Sequence, residues 1–164
     1  MSCDAVAFSA MLWMASFNPG QGAGPTLAVM QAPAAPASVA GEPLFIDIVK
    51  RARQLKAQTE AYRAQLAKAD PTGPASTLKA FDAFSGKIRD LAALDMKGHV
   101  TLRERGAVDD LKCILRGISQ DLPEKLAAVR AATTLKAQDL ALRDMVYLLN
   151  DNVEVITAPP RPAA

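Results

Sequence analysis

The chain offers few side chains with the chemistry of an active site. Histidine, the residue most used for acid–base and metal chemistry, occurs once in the 164 residues, as His99 beside Gly98. Met96 and His99 could ligate a haem iron inside a helical bundle. They lie three positions apart at the predicted end of a helix, however, and the chain has no C-x-x-C-H attachment sequence. We therefore expect His99 to be a solvated turn residue, and we expect no haem or other cofactor.

Two pairs of aspartates invite a paired-carboxylate interpretation: Asp109 with Asp110, and Asp139 with Asp144. Neighbours on a helix point about 100° apart and residues five apart point about 140° apart, so neither pair converges on one proton or metal ion. Glycine-rich phosphate loops, G-x-S-x-G elbows and Cys/His zinc clusters are missing from the sequence. These patterns predict a protein that is not an enzyme and holds no metal.

Cys113 stands out because it falls on the polar side of its own predicted helix, within DDLKCILRGISQDL at 109–122. Apolar residues at a spacing of three and four predict the buried face of that helix, and Leu111, Leu115 and Ile118 belong to it. Cys113 lies about 160° from the centre of this face. Its position therefore needs an explanation other than core packing along the main stripe.

Gly106, Asp110, Cys113 and Gly117 follow one another at spacings of four, three and four, which makes a strip of small residues on the same predicted helix. Such a strip could pack under another helix of the chain, meet a partner or a second copy, or stay exposed. Because cysteine side chains are usually buried, the pattern favours a shielded position. We expect Cys113→Arg to destabilise the fold and Lys112→Arg to leave it unchanged.

The composition indicates one domain of packed amphipathic helices. Half of the residues are hydrophobic and only 5% are aromatic, and alanine, leucine and charged residues dominate from residue 44 onwards. The length suits a single domain with a real core. A net charge of +2 is too small for neutralising many phosphates. We expect no nucleic-acid partner.

Residues 1–42 combine a signal-like apolar segment with a linker rich in Ala, Pro and Gly. The run AVAFSAMLWMASF at 5–17 is too short for a stable membrane span and has the length of a signal-peptide core. Ser38 and Ala40 supply the small residues that signal peptidase prefers before Gly41. The run has no basic residue before it and ends far from Ala40, which argues against a signal peptide. A periplasmic or secreted protein and a cytoplasmic one with a disordered N-terminal arm both remain open.

The first and last helices are the most regular. Pro43 suits a first turn and the DPTGP stretch at 70–74 ends the first helix. Thr134 is a candidate N-cap for the last helix. The stripe of the first helix is Phe45, Ile48, Ala52, Leu55, Thr59, Tyr62, Leu66 and Ala69. The stripe of the last helix is Leu135, Leu142, Met145, Val146, Leu149 and Val153.

The middle of the chain contains several residues that are typical of helix ends and helix starts. The second helix is predicted to begin near Ser76 and to end with Gly98 as the residue after its C-cap. Thr101 with Glu104 resembles the capping box of a third helix, and Pro123 is expected to interrupt that helix before a short fourth segment. The second stripe consists of Leu78, Phe81, Phe84, Ile88 and Leu91.

Together these patterns predict an all-α antiparallel bundle of four to five helices over residues 43–156, followed by a disordered tail at 157–164. Such a bundle suits an exported protein that binds another protein or itself. A cytosolic helical adaptor and a carrier for a small apolar ligand are the alternatives. The first helix has six basic residues against three acidic ones, which indicates either a docking surface for an acidic partner or anionic membrane, or a solvated face.

Overall fold

The computed structural model describes residues 38–70, 72–107 and 110–158. Four helices make up the fold: α1 (Pro43–Leu66), α2 (Phe81–Glu104), α3 (Leu111–Ala131) and α4 (Leu135–Thr157). Over these ranges the chain forms no strand, and one isolated antiparallel bridge joins Pro74 to Thr134. The predicted all-α bundle is confirmed, with four helices. The apolar run at 5–17 and the tail from 159 onwards lie outside the described residues.

The helices form a closed antiparallel ring in which each packs against two neighbours, and α1 meets α4. Arg63 of α1 lies 2.8 Å from Asp139 near the start of α4, while Lys56 lies 2.7 Å from Asn150 towards its end. The two helices therefore run in opposite directions. The α1–α2 seam is the least extensive of the four.

The apolar stripe predicted for α1 is the face that the bundle buries. Its buried residues include every predicted position except Ala69, which follows the helix and is exposed. Tyr62 also anchors an aromatic cluster, because its ring meets Phe84 edge-on with centroids 5.3 Å apart, and Phe81 stacks on Phe84 at 5.9 Å. This cluster ties the end of α1 to the start of α2.

Helix α2 begins later and ends later than predicted. It starts at Phe81 instead of Ser76 because the preceding loop binds α4, and it continues through Gly98 to Glu104. Gly98 is buried, and a Cβ built there would lie 3.1 Å from Leu115 Cδ1. The glycine therefore permits close packing of α2 on α3 instead of ending a helix. Thr101 belongs to the last turns of α2, so the predicted capping box was wrong.

Pro123 does not interrupt α3, contrary to the prediction of a break there. A proline inside a helix removes one hydrogen bond and costs about 3 kcal/mol. Pro123 itself is exposed, but Leu122 and Leu126 on either side are buried. Burying each of these leucines contributes about 1.5–3 kcal/mol, so packing outweighs the local cost.

The α1–α2 and α3–α4 loops pair at one end of the bundle. Leu135 N–H donates to the Gly73 carbonyl at 3.1 Å, and Ala75 N–H donates to the Thr133 carbonyl at 3.0 Å. The Gln138 side chain accepts from Ser76 N–H and donates to the Ser76 carbonyl, both at 2.9 Å. These bonds fix the first helical hairpin against the second.

Helix α4 begins at the cap that the sequence predicts. Thr134 Oγ1 accepts a hydrogen bond from Ala137 N–H at 3.2 Å, which confirms Thr134 as the N-cap. At the opposite end of the bundle, Arg105 after α2 lies 2.8 Å from Glu42 before α1. Val39 is buried there, and its carbonyl accepts Glu42 N–H at 2.9 Å.

We predict that Gly98→Leu destabilises the bundle by about 1–3 kcal/mol, because the added side chain must displace well-packed neighbours. Gly86 on the same helix is the matched control, since a Cβ there meets nothing within 4 Å. Gly86→Leu should raise stability by up to about 1 kcal/mol through helix propensity. Urea unfolding of the two variants measures both effects, and equal stabilities would contradict the packing role of Gly98.

Candidate functional site

His99 is a buried structural residue and not the solvated turn residue that the sequence predicts. Because α2 continues past Gly98, His99 faces α3, where its Nδ1 lies 2.6 Å from the Lys112 carbonyl oxygen. Lys112 is buried as well, and its Nζ donates to the Ala107 carbonyl. Met96 is exposed, so it does not share an environment with His99.

Asp139 and Asp144 bond to different arginines. Asp139 receives a two-pronged hydrogen bond from Arg63, at 2.8 and 3.2 Å, whereas Asp144 pairs with its neighbour Arg143 at 3.0 Å. Asp109 lies outside the described residues. Within the described ranges, no group of three or more His, Cys, Asp or Glu side chains is placed to hold a metal ion.

The small-residue strip is not one continuous helix face. Gly106 lies in the turn after α2 with a positive φ of 68°, and Asp110 is the residue before α3. Cys113 and Gly117 lie on α3 and are half-buried. Cys113 has a bonding partner, since the described residues include no free cysteine. The expected effect of Cys113→Arg stays a prediction.

The effect of Lys112→Arg, which is expected to leave the fold unchanged, likewise stays a prediction, but Lys112 is not a surface residue. The structure buries the Lys112 side chain and bonds its ammonium to the Ala107 carbonyl. A bulkier guanidinium at this position would disturb the α2–α3 turn.

A carboxyl–amide pair lies in the centre of the bundle. Asp95 of α2 and Asn152 of α4 are fully buried, and Asn152 Nδ2 donates to Asp95 Oδ2 at 2.9 Å. The remaining side-chain oxygen of each residue has no hydrogen-bond partner. In the described part of the chain, this is the one side-chain hydrogen bond that joins α2 to α4, two helices that are not neighbours in the ring.

Burial governs the protonation of Asp95. Removal from water raises the pKa of the Asp95 carboxyl to about 8, although the hydrogen bond from Asn152 lowers it in part. Asp95 is therefore mostly protonated at neutral pH. The neutral acid has an O–H donor, whereas an ionised carboxylate has only acceptors.

The sequence contains a signal for this pair that motif and spacing patterns for active sites do not include. Asp95 lies four residues after Leu91 and seven before Leu102, in register with the stripe of α2. Asn152 lies three residues after Leu149 and four before Ile156, in register with the stripe of α4. A polar residue in register with an apolar stripe on each of two helices predicts a buried polar contact.

The outer face of α4, formed by Leu140, Asp144, Tyr147 and Asp151, is the second feature of interest. Leu140 is 48% exposed and Tyr147 is 61% exposed, although both are large apolar side chains. They lie two helical turns apart on the side opposite the core. The Arg143 guanidinium lies 6.0 Å from the centre of the Tyr147 ring, which keeps the ring in place on the surface.

Two surface clefts lie elsewhere on the bundle. One, of about 460 Å³, lies between the start of α2 and the end of α3, where Arg130 contacts Asp82 and Ser85 at 3.3 Å. The other, of about 290 Å³, lies in the α1–α2 seam. Its rim includes the basic residues Lys50 and Lys87 together with the ion pair of Arg51 and Asp47. Both are lined mostly by polar atoms.

Comparison with known proteins adds no functional assignment. The chain matches no family model, no curated protein and no solved structure. None of the helices in the described ranges has the length and apolar character needed to cross a bilayer.

We predict that the stability of the bundle decreases as pH rises towards 8. The unfolded Asp95 carboxyl titrates near 3.8 and the folded one near 8, so folding takes up a proton between these values. The contribution of Asp95 to the free energy of unfolding should therefore fall by about 1.4 kcal/mol per pH unit in this window and level off above it. Urea unfolding across the pH range measures the slope.

The matched pair of variants for this measurement is Asp95→Asn and Asp90→Asn, because Asp90 is exposed on the same helix. Asp95→Asn should remove the slope and stabilise the bundle at pH 8. Asp90→Asn should keep the wild-type slope. A slope that persists in Asp95→Asn would assign the pH dependence to other groups.

Proposed function

We propose that this protein is a non-enzymatic, exported helical bundle that acts through protein–protein interaction, with the outer face of α4 as its binding surface. The observation that carries the proposal is the exposure of Leu140 and Tyr147 on one side of one helix. Tyrosine is enriched among the residues that dominate interface energies. A helix that already buries a full apolar stripe does not need these two residues for folding.

The charges around this surface indicate the chemistry of the partner. Asp144 and Asp151 are spaced along the same face as Leu140 and Tyr147, and Glu154 lies one turn further on. A complementary surface would place an apolar side chain on Leu140 and Tyr147 and would pair lysine or arginine with Asp151 and Glu154, because Asp144 already pairs with Arg143. The partner is therefore a protein segment with an apolar residue flanked by basic ones.

Export rests on the apolar run at 5–17 and on the small residues before Gly41. One observation weighs against cleavage at that bond: Val39 is buried in the core. Removing Val39 would forfeit about 1.5–3 kcal/mol of apolar burial. The cytosolic adaptor with an N-terminal arm is the second candidate for this reason.

We predict that a photoreactive amino acid at position 147 forms an adduct with a partner protein in living cells. The same probe at Ala57, an exposed position on α1, serves as the control. Leu140→Ser in the purified pair should weaken the affinity about tenfold or more, as expected for an interface residue worth over 1.4 kcal/mol.

Mass spectrometry of the adduct identifies the contacted segment, which should contain an apolar residue flanked by lysine or arginine. An adduct between two copies of the chain would make self-association the function of this face. Equal labelling from positions 57 and 147, or an affinity that Leu140→Ser leaves unchanged, would refute the proposal.

We also predict that the protein isolated from its native cells begins near Gly41, as export with processing requires. Intact-mass measurement of the native protein checks this directly. A chain that begins at Met1 or Ser2 and is found in the cytosolic fraction would instead favour the adaptor.

A further inference from the structure

The buried pair of Asp95 and Asn152 is chemically incomplete as an ionised pair. Asn152 Nδ2 satisfies one carboxyl oxygen, but Asp95 Oδ1 and Asn152 Oδ1 are both acceptors without a donor. A buried acceptor without a donor costs about 1–3 kcal/mol. A proton on Asp95 Oδ1 would turn that acceptor into a donor, which is the group that Asn152 Oδ1 lacks.

We propose that this proton is a latch: it holds the C-terminal turns of α4, residues 151–157, on the bundle, and its loss releases them. In the closed state, Asn152 Nδ2–H donates to Asp95 Oδ2, and Asp95 Oδ1–H donates to Asn152 Oδ1. In the open state the proton has passed to solvent, and water solvates the carboxylate and the Asn152 amide. The two hydrogen bonds of the pair are replaced by hydrogen bonds to water, and no other covalent bond forms or breaks.

The geometry indicates which helix moves. Helix α2 continues past Asp95 to Glu104 and is held there by the buried residues Gly98 and Leu102. Helix α4 ends at Thr157, and beyond Asn152 it has one fully buried side chain, Ile156, together with the partly buried Val153 and Val155. Water therefore reaches the carboxylate at a lower cost when the end of α4 lifts than when α2 bends.

Electrostatics also weakens the end of α4. Its last turn has no basic residue, and Asp151 and Glu154 lie close to the negative end of the helix dipole. Burial is the larger cause of the raised pKa of the Asp151 carboxyl, and the negative charge of Glu154 raises it further. This segment is therefore the part of α4 that is held least firmly.

Few other ionisable groups face Asp95. On α2 and α3 the buried ones are His99 and Lys112. The His99 ring bonds to the Lys112 carbonyl, and the Lys112 ammonium donates to the Ala107 carbonyl. Tyr62 is the ionisable member of the buried face of α1, and it bonds to the Lys79 carbonyl at the opposite end of the bundle. The buried face of α4 presents only the amides Gln138 and Asn152. Asp95 is therefore the group whose titration controls the latch.

Hydrogen exchange with mass spectrometry of the full-length protein tests the latch. The wild type is compared with Asp95→Asn, whose amide can donate to Asn152 Oδ1 at every pH and should therefore fold and stay closed. The peptide 148–157 reports on the latch, and the peptide 45–62 of α1 reports on global unfolding. Asp90→Asn is the charge-matched control and should behave as wild type.

Between pH 6 and pH 8 we expect the exchange rate of 148–157 in the wild type, divided by that in Asp95→Asn, to rise about fiftyfold, by about tenfold over the first pH unit and about fivefold over the second. The peptide 45–62 should exchange more slowly than 148–157 throughout. One common rate for both peptides, or identical 148–157 rates in the two proteins, would overturn the proposal. Infrared difference spectra at pH 6 should show a protonated carboxyl band that Asp95→Asn lacks, and its absence from wild type would also overturn it.

Discussion

Four helices that each have a single apolar face can remove those faces from water only together, and this constraint shapes the molecule. Helix α1 closes the ring by packing on α4. The α1–α2 loop and the α3–α4 loop bond to each other at one end of the bundle, which keeps the two helical hairpins in register. Asp95 lies at the centre of this ring. Its side chain is fully buried while the ring is closed, and its protonation is therefore coupled to the integrity of the bundle.

The fold could be predicted from the sequence where local pattern and packing agree. The stripe of α1 and the Thr134 cap are examples. Both signals depend only on residues a few positions apart in the sequence: the spacing of apolar residues along one helix, and a hydroxyl that bonds to a backbone N–H three residues later. The α2–α3 region could not be predicted in the same way. By local sequence alone, Gly98 and Pro123 predict the ends of helices. Both lie inside helices because packing against distant residues outweighs the local preference.

The candidate site also has one part that could be predicted from the sequence and another that could not. Each member of the Asp95–Asn152 pair is in register with its own apolar stripe, so the burial of both was readable. Their pairing was not, because it joins helices that are not adjacent in the ring and depends on how the ring closes. His99 was misplaced for a related reason, since its environment depends on where α2 ends. The exposure of Tyr147 likewise appears only once the other face of α4 is known to be buried.

The antiparallel ring brings residues 38 and 158 to the same end of the bundle, where α1 begins and α4 ends. Tension applied between these two points acts across the α1–α4 seam and not along it. The bonds of Lys56 with Asn150 and of Arg63 with Asp139 then carry the load one after the other, beginning at the end near Asn152. Under mechanical load we therefore expect α1 and α4 to separate turn by turn from that end, and the paired loops at the far end to yield last.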